Sequence, residues 1–239
     1  MKKYVRVKRA VELDVVLPVY NEADSIKDVI SSWAKGLGMH ARFRLIVCED
    51  GSTDGTAHIL KTLTAKYPIT LNQKAYRRGY GRAMLDGIRE AKARYVLCID
   101  SDGQCAPGDF GKFWQKRTEG ILIGRRIQRA DASQRKFFSK LFGAVFKVLF
   151  PTPIHDPSAP FVLFPRITIL PYLPDLSYMK EGFWWGFVGM CVKRNLDITE
   201  IPIHHRHRLS GETNVYHPSK LPSIALRNIL GLFRLRFSR

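Results

Sequence analysis

Over residues 11–22 the chain reads VELDVVLPVYNE, an apolar run rich in β-branched residues that ends in polar side chains. Such a run predicts a buried strand over Val11–Val19. Further apolar runs alternate with segments of helical spacing as far as residue 124. Strands that alternate with helices indicate βαβ units, and we therefore expect an α/β fold with a mostly parallel, twisted, doubly wound sheet flanked by helices.

This alternation gives positions to the expected elements. Further strands are expected at Phe43–Glu49, Ile69–Gln73, Arg94–Asp100 and Gly120–Gly124. Helices are expected at Ala23–Lys35, Asp54–Tyr67, Gly79–Ala93 and Pro107–Arg117, with Ser52, Thr53 or Asp54 as the N-cap of the second. After residue 124 we expect an amphipathic helix at Gln134–Phe150, strands at Phe161–Phe164 and Ile198–His205, and a basic, apolar terminal segment.

Polar clusters follow three of the expected strands. They are Tyr20-Asn21-Glu22, Glu49-Asp50-Gly51 and Asp100-Ser101-Asp102. In open parallel sheets the ligand crevice lies at the carboxyl ends of the strands. We therefore expect these clusters to form one functional site.

The carboxylates of these clusters suggest two kinds of chemistry. Asp100 and Asp102 point the same way if the backbone stays extended, and with the carboxamide of Gln104 they offer hard oxygen ligands suited to Mg²⁺ or Mn²⁺. The alternative is an ordinary turn after a strand. Asp50 could accept hydrogen bonds from a base or a ribose. The sequence contains neither a Walker A loop nor a strand-linked GxGxxG motif, which removes the main support for a P-loop NTPase or a Rossmann dehydrogenase.

The net charge of +18 is concentrated in three segments. Residues 1–10 contain five basic residues and no acidic one, residues 125–147 contain seven basic residues and Asp131, and residues 204–239 contain seven basic residues and Glu212. The rest of the chain is nearly neutral. This distribution argues against a uniformly basic nucleic-acid-binding surface and for localised anionic partners, such as phosphates or a membrane surface.

Cysteine and histidine usage disfavours a structural metal. The cysteines are scattered and form no CxxC pair, which favours buried thiols in a reducing, cytosolic compartment: Cys48, Cys98, Cys105 and Cys191. Strand alternation puts only His205 and His207 on one face, so we expect a basic strand facing phosphates rather than a zinc site. No stretch approaches the ~18 uninterrupted apolar residues of a membrane-spanning helix, and no secretory signal is visible.

Four segments carry a family resemblance: Val16–Glu22, Glu49–Thr56, Gly79–Ala83 with Gly87, and Asp100–Gln104. Their order and spacing resemble the family 2 inverting glycosyltransferases of GT-A fold. The second half looks like the dolichol-phosphate mannose synthase branch, on the residues Gly124-Arg125-Arg126, Arg135, Ser139, Asp156-Pro157-Ser158, Glu200-Ile201-Pro202 and Arg208-Leu209-Ser210-Gly211. The resemblance covers residues 12–216. It implies metal-dependent transfer of a hexose from a GDP- or UDP-linked sugar to a polyprenyl phosphate, dolichyl or undecaprenyl.

The resemblance also implies roles for individual residues. The nucleotide sugar would contact Pro18, Tyr20, Glu22, Cys48, Asp50, Asp100, Ser101, Arg126 and Arg208. Mg²⁺ or Mn²⁺ on the diphosphate would be held by Asp100, Asp102 and Gln104. Asp102, Arg126 and Arg135 would be catalytic, the two arginines by binding donor or acceptor phosphates.

Three departures from the family pattern concern the sugar and the acceptor rather than the reaction class. Glu49 stands where the first acid of Asp-Asp-Gly-Ser is usual, and Gly211-Glu212-Thr213-Asn214 lacks the lysine of Gly-Glu-Ser-Lys. The expected helix over Phe183–Gly189 lacks its common acid and has Trp185, Gly186 and Phe187 instead.

Two amphipathic segments on the acceptor side bear on membrane association. In the first, the apolar stripe Phe138, Leu141, Phe142, Val145 and Leu149 is flanked by Arg135, Lys136, Lys140 and Lys147. Such a stripe is typical of a core helix, and it also suits a helix in a membrane interface. Lys220–Arg239 combines five basic residues with apolar ones and has no acid. We expect peripheral association with the cytosolic face of an anionic membrane, or tethering by a membrane-anchoring subunit.

The expected organisation has three parts. A basic segment (1–10) precedes a GT-A domain (11–216), whose nucleotide-sugar half is 11–124 and whose acceptor half is 125–216, and a basic amphipathic segment (217–239) follows. Two alternatives remain open: a family 2 transferase that acts on a non-lipid acceptor, and a basic nucleic-acid-binding protein. No nucleic-acid-binding motif is recognisable, and the acidic clusters would repel nucleic-acid phosphates.

Overall fold

The computed structural model describes residues 10–127, 142–179, 182–206 and 221–238. Within these residues a single sheet contains the strands β1 (Leu13–Val19), β2 (Phe43–Glu49), β3 (Ile69–Gln73), β4 (Tyr95–Cys98), β5 (Ile121–Arg126), β6 (Val162–Pro165) and β7 (Ile198–Ile203). Their order across the sheet is β3-β2-β1-β4-β6-β5-β7. The described helices are α1 (Ile26–Gly38), α2 (Thr56–Leu63), α3 (Tyr80–Glu90), α4 (Phe110–Lys116), α5 (residues 142–149), α6 (Arg166–Ile169), α7 (Phe183–Lys193) and α8 (Leu221–Phe237).

The sheet is mostly parallel, which confirms the predicted fold class. β1 pairs in parallel with β2 and β4, β2 with β3, and β5 with β7. β6 is antiparallel to both β4 and β5. The carboxyl ends of β2, β1 and β4 therefore lie side by side at one edge.

Helices cover both faces of the sheet. Alternate residues of β1 belong to different apolar clusters: Val15 packs with Trp33 of α1 and Phe110 of α4, whereas Val16 packs with Met84 of α3 and Phe187 of α7. All of β1 is buried, because each face of the strand meets a helix layer. A run buried on both sides has no solvent-facing side, which explains the apolar stretch Val15–Val19, and the one buried charge of the strand, Asp14, is paired with Arg44.

The start of α2 differs from the prediction. The helix begins at Thr56, and its N-cap is Gly55 in the left-handed region at φ 95°. Asp54 instead accepts hydrogen bonds from the Thr56 N–H and hydroxyl through Oδ1 and from the Ala23 N–H through Oδ2. The Asp54 carboxylate thus joins the loops after β1 and β2. The N-cap position is occupied by Gly55, which tolerates a positive φ.

Several other bounds are shorter than predicted. β4 ends at Cys98, two residues before Asp100, and β7 ends at Ile203, so the predicted extension of that strand to His205 was wrong. The predicted helix Pro107–Arg117 is a 3₁₀ turn over Pro107–Asp109 followed by α4. The first part of the predicted Gln134–Phe150 helix lies outside the described residues.

Other expectations concern the cysteines and the amphipathic segments. The four cysteines are free and buried, as predicted: Cys48, Cys98, Cys105 and Cys191. In α5, Phe142 and Phe146 pack edge-on against Trp185 of α7, at ring-centroid distances of 4.9 and 5.0 Å. Of the predicted stripe, Phe142 and Leu149 are half-buried and pack against the core. In the described portion of the chain, no helix has the length and apolar character that a membrane crossing requires.

Candidate active site

The loops after β1 and β2 are bound to each other at the carboxyl edge of the sheet. The Asn21 N–H donates to Ser52 Oγ (3.0 Å), and Asn21 Oδ1 accepts from the Thr53 N–H (2.9 Å). The Glu22 N–H donates to Thr56 Oγ1 (2.9 Å). Asn21 has a φ of 53°, a left-handed conformation that asparagine tolerates better than most residues. The two polar motifs thus form one surface, as the sequence predicts.

Asp50 is buried and holds the segment that leads into α3. Its Oδ1 accepts from the Arg78 N–H (2.9 Å) and its Oδ2 from the Gly79 N–H (2.8 Å). Gly51 completes this contact, because a Cβ at that position would lie 2.4–2.7 Å from backbone atoms of Tyr76 and Arg77. Both carboxylate oxygens of Asp50 therefore accept main-chain hydrogen bonds, in addition to any contact with a base.

Two buried glutamates lie beside this loop. Glu22 Oε2 accepts from Ser25 Oγ at 2.8 Å, which supports the start of α1. Glu49 Oε1 accepts from the Ser52 N–H at 2.5 Å, and its Oε2 is buried without a hydrogen bond among the described residues. Glutamate at position 49 thus makes the loop-closing contact, so its replacement of the usual aspartate does not disrupt the loop.

Tyr20, Pro18 and Cys48 occupy three different environments. The Tyr20 ring is half-buried, and the Arg77 guanidinium lies 4.1 Å above its centroid in a cation–π contact. Pro18 pairs in register with Cys48, and both are buried. Burial raises the pKa of the Cys48 thiol to about 12. A Cβ at Gly87 of α3 would lie 2.9 Å from Cys48 Sγ, so this thiol packs in the core against α3.

Asp100 and Asp102 follow β4, and both are half-buried. Asp100 Oδ1 accepts a 2.6 Å hydrogen bond from the Tyr80 hydroxyl, which in turn accepts a 2.7 Å hydrogen bond from Trp184 Nε1. Asp102 Oδ1 accepts from the Gln104 N–H at 3.0 Å. Burial, followed by the neighbouring Asp100 carboxylate, raises the pKa of Tyr80 well above its ordinary value, which keeps the hydroxyl protonated.

The third predicted metal ligand, Gln104, contacts the chain that follows β7. The side-chain Nε2 of Gln104 donates to the Arg206 carbonyl at 3.2 Å, and the main-chain carbonyl of Gln104 accepts from the Arg206 N–H at 2.9 Å. Ser101 is buried with 7% exposure. The described residues contain no group of three or more His, Cys, Asp or Glu side chains that could hold a metal. Two half-exposed carboxylates nevertheless fit a hard divalent cation that completes its shell with water and substrate phosphates.

Arg126 is buried in an ion pair with Asp156. Its Nε donates to Asp156 Oδ2 at 2.7 Å, and its terminal nitrogen donates to Asp156 Oδ1 at 2.8 Å and to Ser158 Oγ at 2.6 Å. The Arg126 and Asp156 side chains are 6% and 8% exposed. The predicted phosphate-binding arginine therefore has a carboxylate bound to its guanidinium.

The other acceptor-side motifs also make contacts within the protein. Glu200 Oε1 accepts from the N–H groups of His155 and Asp156, at 2.9 and 2.8 Å. The His204 N–H donates to Asp109 Oδ2 at 2.7 Å. Burial would raise the pKa of Asp109, but hydrogen bonds from His204 and Lys112 outweigh it and lower the pKa. His204 lies just after the end of β7 and binds Asp109, and the interpretation of the histidine run as facing phosphates stays a prediction.

Some predicted residues lie outside the described chain, and two others were missed. Arg135, Arg208, Ser139, His207 and the Gly211–Asn214 motif are in the first group, as are residues 1–9. Tyr80 and Trp184 had no assigned role, although Tyr80 stands within the quoted Gly79–Ala83 motif. The available signal was an aromatic residue between two glycines at a helix start, beside the expected crevice.

Comparison with known proteins identifies the family. The family model of "Glycosyl transferase family 2" matches residues 14–168, which include β2 to β6 and the carboxylates of Asp50, Asp100 and Asp102. The chain belongs to glycosyltransferase family 2. This family 2 glycosyltransferase is 24% identical over 251 residues to a dolichyl-phosphate beta-glucosyltransferase of Dictyostelium discoideum, with 94% of this chain and 77% of that protein covered.

Further matches of the glycosyltransferase differ in the acceptor that their names give. An undecaprenyl-phosphate 4-deoxy-4-formamido-L-arabinose transferase of Shewanella sediminis is 28% identical over 142 residues, which cover 56% of this chain and 42% of that protein. The solved structure of Mycobacterium tuberculosis glucosyl-3-phosphoglycerate synthase, with Mn²⁺, UDP-glucose and phosphoglyceric acid, has a TM-score of 0.69 at 17% identity and covers 95% of this chain and 80% of that one. The structural match confirms the GT-A fold of the enzyme.

Proposed function

We propose that this glycosyltransferase transfers a hexose from a UDP- or GDP-linked donor to a polyprenyl phosphate, with inversion and with Mg²⁺ or Mn²⁺. The observation that carries the proposal is the pair Asp100 and Asp102, half-exposed after β4 and beside the joined loops of β1 and β2. The dolichyl-phosphate glucosyltransferase relative, which matches over most of the chain, supports a lipid phosphate as acceptor. Family membership favours this enzyme over the nucleic-acid-binding alternative.

Asp100 and Asp102 would hold the divalent cation, with Gln104 contributing through its carboxamide oxygen. A bound cation would stabilise the charge that develops on the departing nucleoside diphosphate. A fold neighbour was solved with Mn²⁺ and UDP-glucose, which supports the use of a divalent cation with a nucleotide sugar in this fold. Tyr20, Glu22 and Asp50 would line the nucleotide side.

No general base is required, because the acceptor phosphate is already anionic at neutral pH. The electrostatic obstacle is the approach of two anions, which arginines offset by charge-assisted hydrogen bonds. Arg135 and Arg208 remain the proposed phosphate ligands. The contacts of Arg126 with Asp156 support a different task for that residue, the positioning of the 156–158 loop on the acceptor side.

Helix α8 supports association with an anionic membrane surface. Its inner face buries Ile224, Leu232 and Leu235. Four other apolar residues are exposed at helical spacing and form the outer stripe: Leu226, Leu230, Phe233 and Phe237, at 59%, 50%, 44% and 74% exposure. Arginines 227, 234 and 236 lie on the same helix, and no acid does. An apolar stripe beside cations suits a helix lying in an anionic lipid interface, with a membrane-anchoring subunit as the alternative cover.

The four free, buried thiols fit a protein that works at the cytosolic face of a membrane, where the compartment is reducing.

A second candidate is transfer to a non-lipid acceptor. The supporting observation is the fold neighbour solved with phosphoglyceric acid, whose acceptor is a small anion. In that case the outer stripe of α8 would have another use, and activity would not depend on lipid phosphate.

The reaction is tested with the purified chain, Mn²⁺ or Mg²⁺ and a panel of UDP- and GDP-sugars. Short polyprenyl phosphate is offered in one arm and 3-phosphoglycerate in the other, and products are identified by mass spectrometry. We expect a glycolipid with inverted anomeric configuration from the first arm only. Product from the second arm alone would replace the proposal by the second candidate, and no product from either would overturn both.

Asp102→Ala tests the metal assignment. Transfer should fall by at least about 10³-fold, because one carboxylate of the proposed site is lost. Asp28→Ala, at an exposed position of α1, is the matched control and should keep its activity. Undiminished transfer by Asp102→Ala would exclude Asp102 as a metal ligand.

Flotation with vesicles tests the membrane surface. The wild type should float with vesicles containing about one third phosphatidylserine at low salt and should remain at the bottom with phosphatidylcholine alone. Leu226→Ser combined with Phe233→Ser should abolish flotation, whereas Val148→Ser, at a still more exposed apolar position on α5, should not. Equal flotation of all three proteins would exclude the outer stripe as the contact.

A further inference from the structure

Tyr80 joins three elements that are far apart in sequence. It is the first residue of α3, its hydroxyl lies 2.6 Å from Asp100 Oδ1 after β4, and Trp184 Nε1 of α7 lies 2.7 Å from the same hydroxyl. The start of α3 is itself fixed, because the Gly79 N–H donates to Asp50 Oδ2. The Tyr80 ring also packs edge-on against Phe183, with centroids 6.4 Å apart.

The direction of both hydrogen bonds follows from the chemistry of the groups. An indole N–H can only donate, so the Tyr80 oxygen must accept the hydrogen bond from Trp184. A phenol has a single hydrogen, and it therefore goes to the Asp100 carboxylate. The two hydrogen bonds therefore run in one direction, from Trp184 to Tyr80 and from Tyr80 to Asp100. The second bond ends on a charged carboxylate, which makes it stronger than a hydrogen bond between two neutral groups.

Trp184 is held in place by the second half of the chain. Its ring packs edge-on against Phe183 and Phe187, at 5.1 and 5.5 Å. The next residue, Trp185, contacts Phe142 and Phe146 of α5. Trp184, the first hydrogen-bond donor, therefore belongs to an aromatic cluster in the second half of the protein. Asp100, the last hydrogen-bond acceptor, belongs to the carboxylate pair after β4.

We propose that Tyr80 and Trp184 are positioning residues that fix the orientation of the Asp100 carboxylate toward a divalent cation. The inference rests on the proposed function and deepens it, because it adds residues that act on the cation site without contacting it. Groups that hydrogen-bond to metal ligands orient those ligands, and their loss typically weakens metal binding about 10- to 100-fold. Because Trp184 lies on α7, the geometry of the cation site also depends on the packing of α7 against α5.

Tyr80→Phe removes the hydroxyl and keeps the ring. Tyr95→Phe is the matched control, since Tyr95 is also buried and lies at the opposite end of β4. Trp184→Phe tests the outer link. The primary measurement is Mn²⁺ affinity in the presence of UDP and, separately, of GDP, from the electron paramagnetic resonance signal of free Mn²⁺. Thermal melting of each variant reports on folding, and the Mn²⁺ dependence of transfer separates metal binding from turnover.

We expect Tyr80→Phe to weaken Mn²⁺ binding by at least about 10-fold and Trp184→Phe by less, because the Tyr80–Asp100 bond survives in the second variant. Saturating Mn²⁺ should restore most of the turnover of Tyr80→Phe, whereas a merely structural defect would not respond to the metal. Tyr95→Phe should bind Mn²⁺ as the wild type does.

Two results would overturn the inference. If the wild type binds Mn²⁺ and transfers sugar while Tyr80→Phe has the same Mn²⁺ affinity, the positioning role is excluded and the proposed function stands. If the wild type binds Mn²⁺ with neither UDP nor GDP and transfers sugar from neither kind of donor, the proposed function and the inference both fail.

Discussion

The loop of residues 49–56 and the loop of residues 154–158 are both bound within the protein, but by different partners. In the first, Asp50 and Asp54 accept mostly main-chain N–H groups, which are neutral. In the second, Asp156 is paired with the Arg126 guanidinium, and both side chains are at most 8% exposed. The contacts of both loops span about 30 positions of the chain, so the difference lies in the donors, which are neutral N–H groups in the first loop and a guanidinium in the second.

This difference separates what each loop can offer a substrate. Carboxylates that accept only neutral donors keep their negative charge, which suits a region that meets a cation or a base and ribose. The Asp156 carboxylate instead binds a guanidinium and the main-chain N–H of Arg126, and these contacts fix the position of the backbone. The first loop thus supplies negative charge to the site, and the second holds the backbone in position. Mutations in the two loops should therefore differ in their effects on stability and on substrate binding.

The largest effect is expected from Arg126→Ala. It removes the guanidinium that binds the buried Asp156 carboxylate through two nitrogens, and the free energy of unfolding should fall by about 3–5 kcal/mol. Urea denaturation measures the loss, with Arg125→Ala, at a half-buried neighbouring position, as the control. A loss below about 1 kcal/mol would mean that the ion pair has no structural weight, and Arg126 would return to the phosphate-binding role that the family resemblance implies.

Asp50→Asn should have a smaller effect on stability. The amide retains one acceptor oxygen but presents a donor to one of the two N–H groups at Arg78 and Gly79, so we expect a loss of about 1–3 kcal/mol. The Michaelis constant for the donor sugar should rise as well, because the segment that leads into α3 loosens. Asp28→Asn, on the exposed side of α1, is the control for both measurements. An unchanged stability would show that main-chain acceptance by Asp50 is dispensable.

The Asp109 contact links α4 to the chain after β7, and its contribution should depend on pH. Because the pKa of Asp109 is lowered in the folded state, its stabilisation is present above the unfolded-state value of about 4 and is lost as the pH falls through the folded-state pKa. Asp109→Asn should therefore lose about 1–2 kcal/mol at pH 7. Its stability should also fall less steeply than that of the wild type between pH 5 and 3.

Urea denaturation across that range tests the Asp109 contact. Parallel curves for the two proteins would contradict the assignment.

The smallest effect on stability is expected at the outer stripe of α8. Leu226→Ser or Phe237→Ser should change the free energy of unfolding by no more than about 0.5 kcal/mol, because both side chains are exposed. Leu232→Ala, on the buried face of the same helix, should lose about 2–5 kcal/mol. If Phe237→Ser destabilised the protein as strongly as Leu232→Ala, the stripe would be part of the core rather than a surface for lipid.

The sequence predicted the first half of the fold well, because its signals are local. β2 and β3 lie at Phe43–Glu49 and Ile69–Gln73, as expected, and the strand ends that carry Asp50 and Asp100 meet at one edge. The cap of α2 was missed, because Asp54 binds a loop 31 residues away and no local pattern records that contact.

The second half was harder to predict. The sequence placed arginines near acids without indicating which would pair, so the bond between Arg126 and Asp156 came only with the fold. The sequence of Lys220–Arg239 mixes apolar and basic residues and does not indicate which apolar residues are buried. The structure shows a buried face and an exposed stripe on α8.

By itself the sequence determined the α/β class, the family and the edge of the sheet where the carboxylates meet, because periodicity and contiguous motifs are properties of the local chain. Only the tertiary structure decided that Arg126 binds Asp156, that Tyr80 links Trp184 to Asp100, and which face of α8 is exposed. Each of these depends on which distant side chain fills the space next to a group, and burial and charge then fix what that group can do.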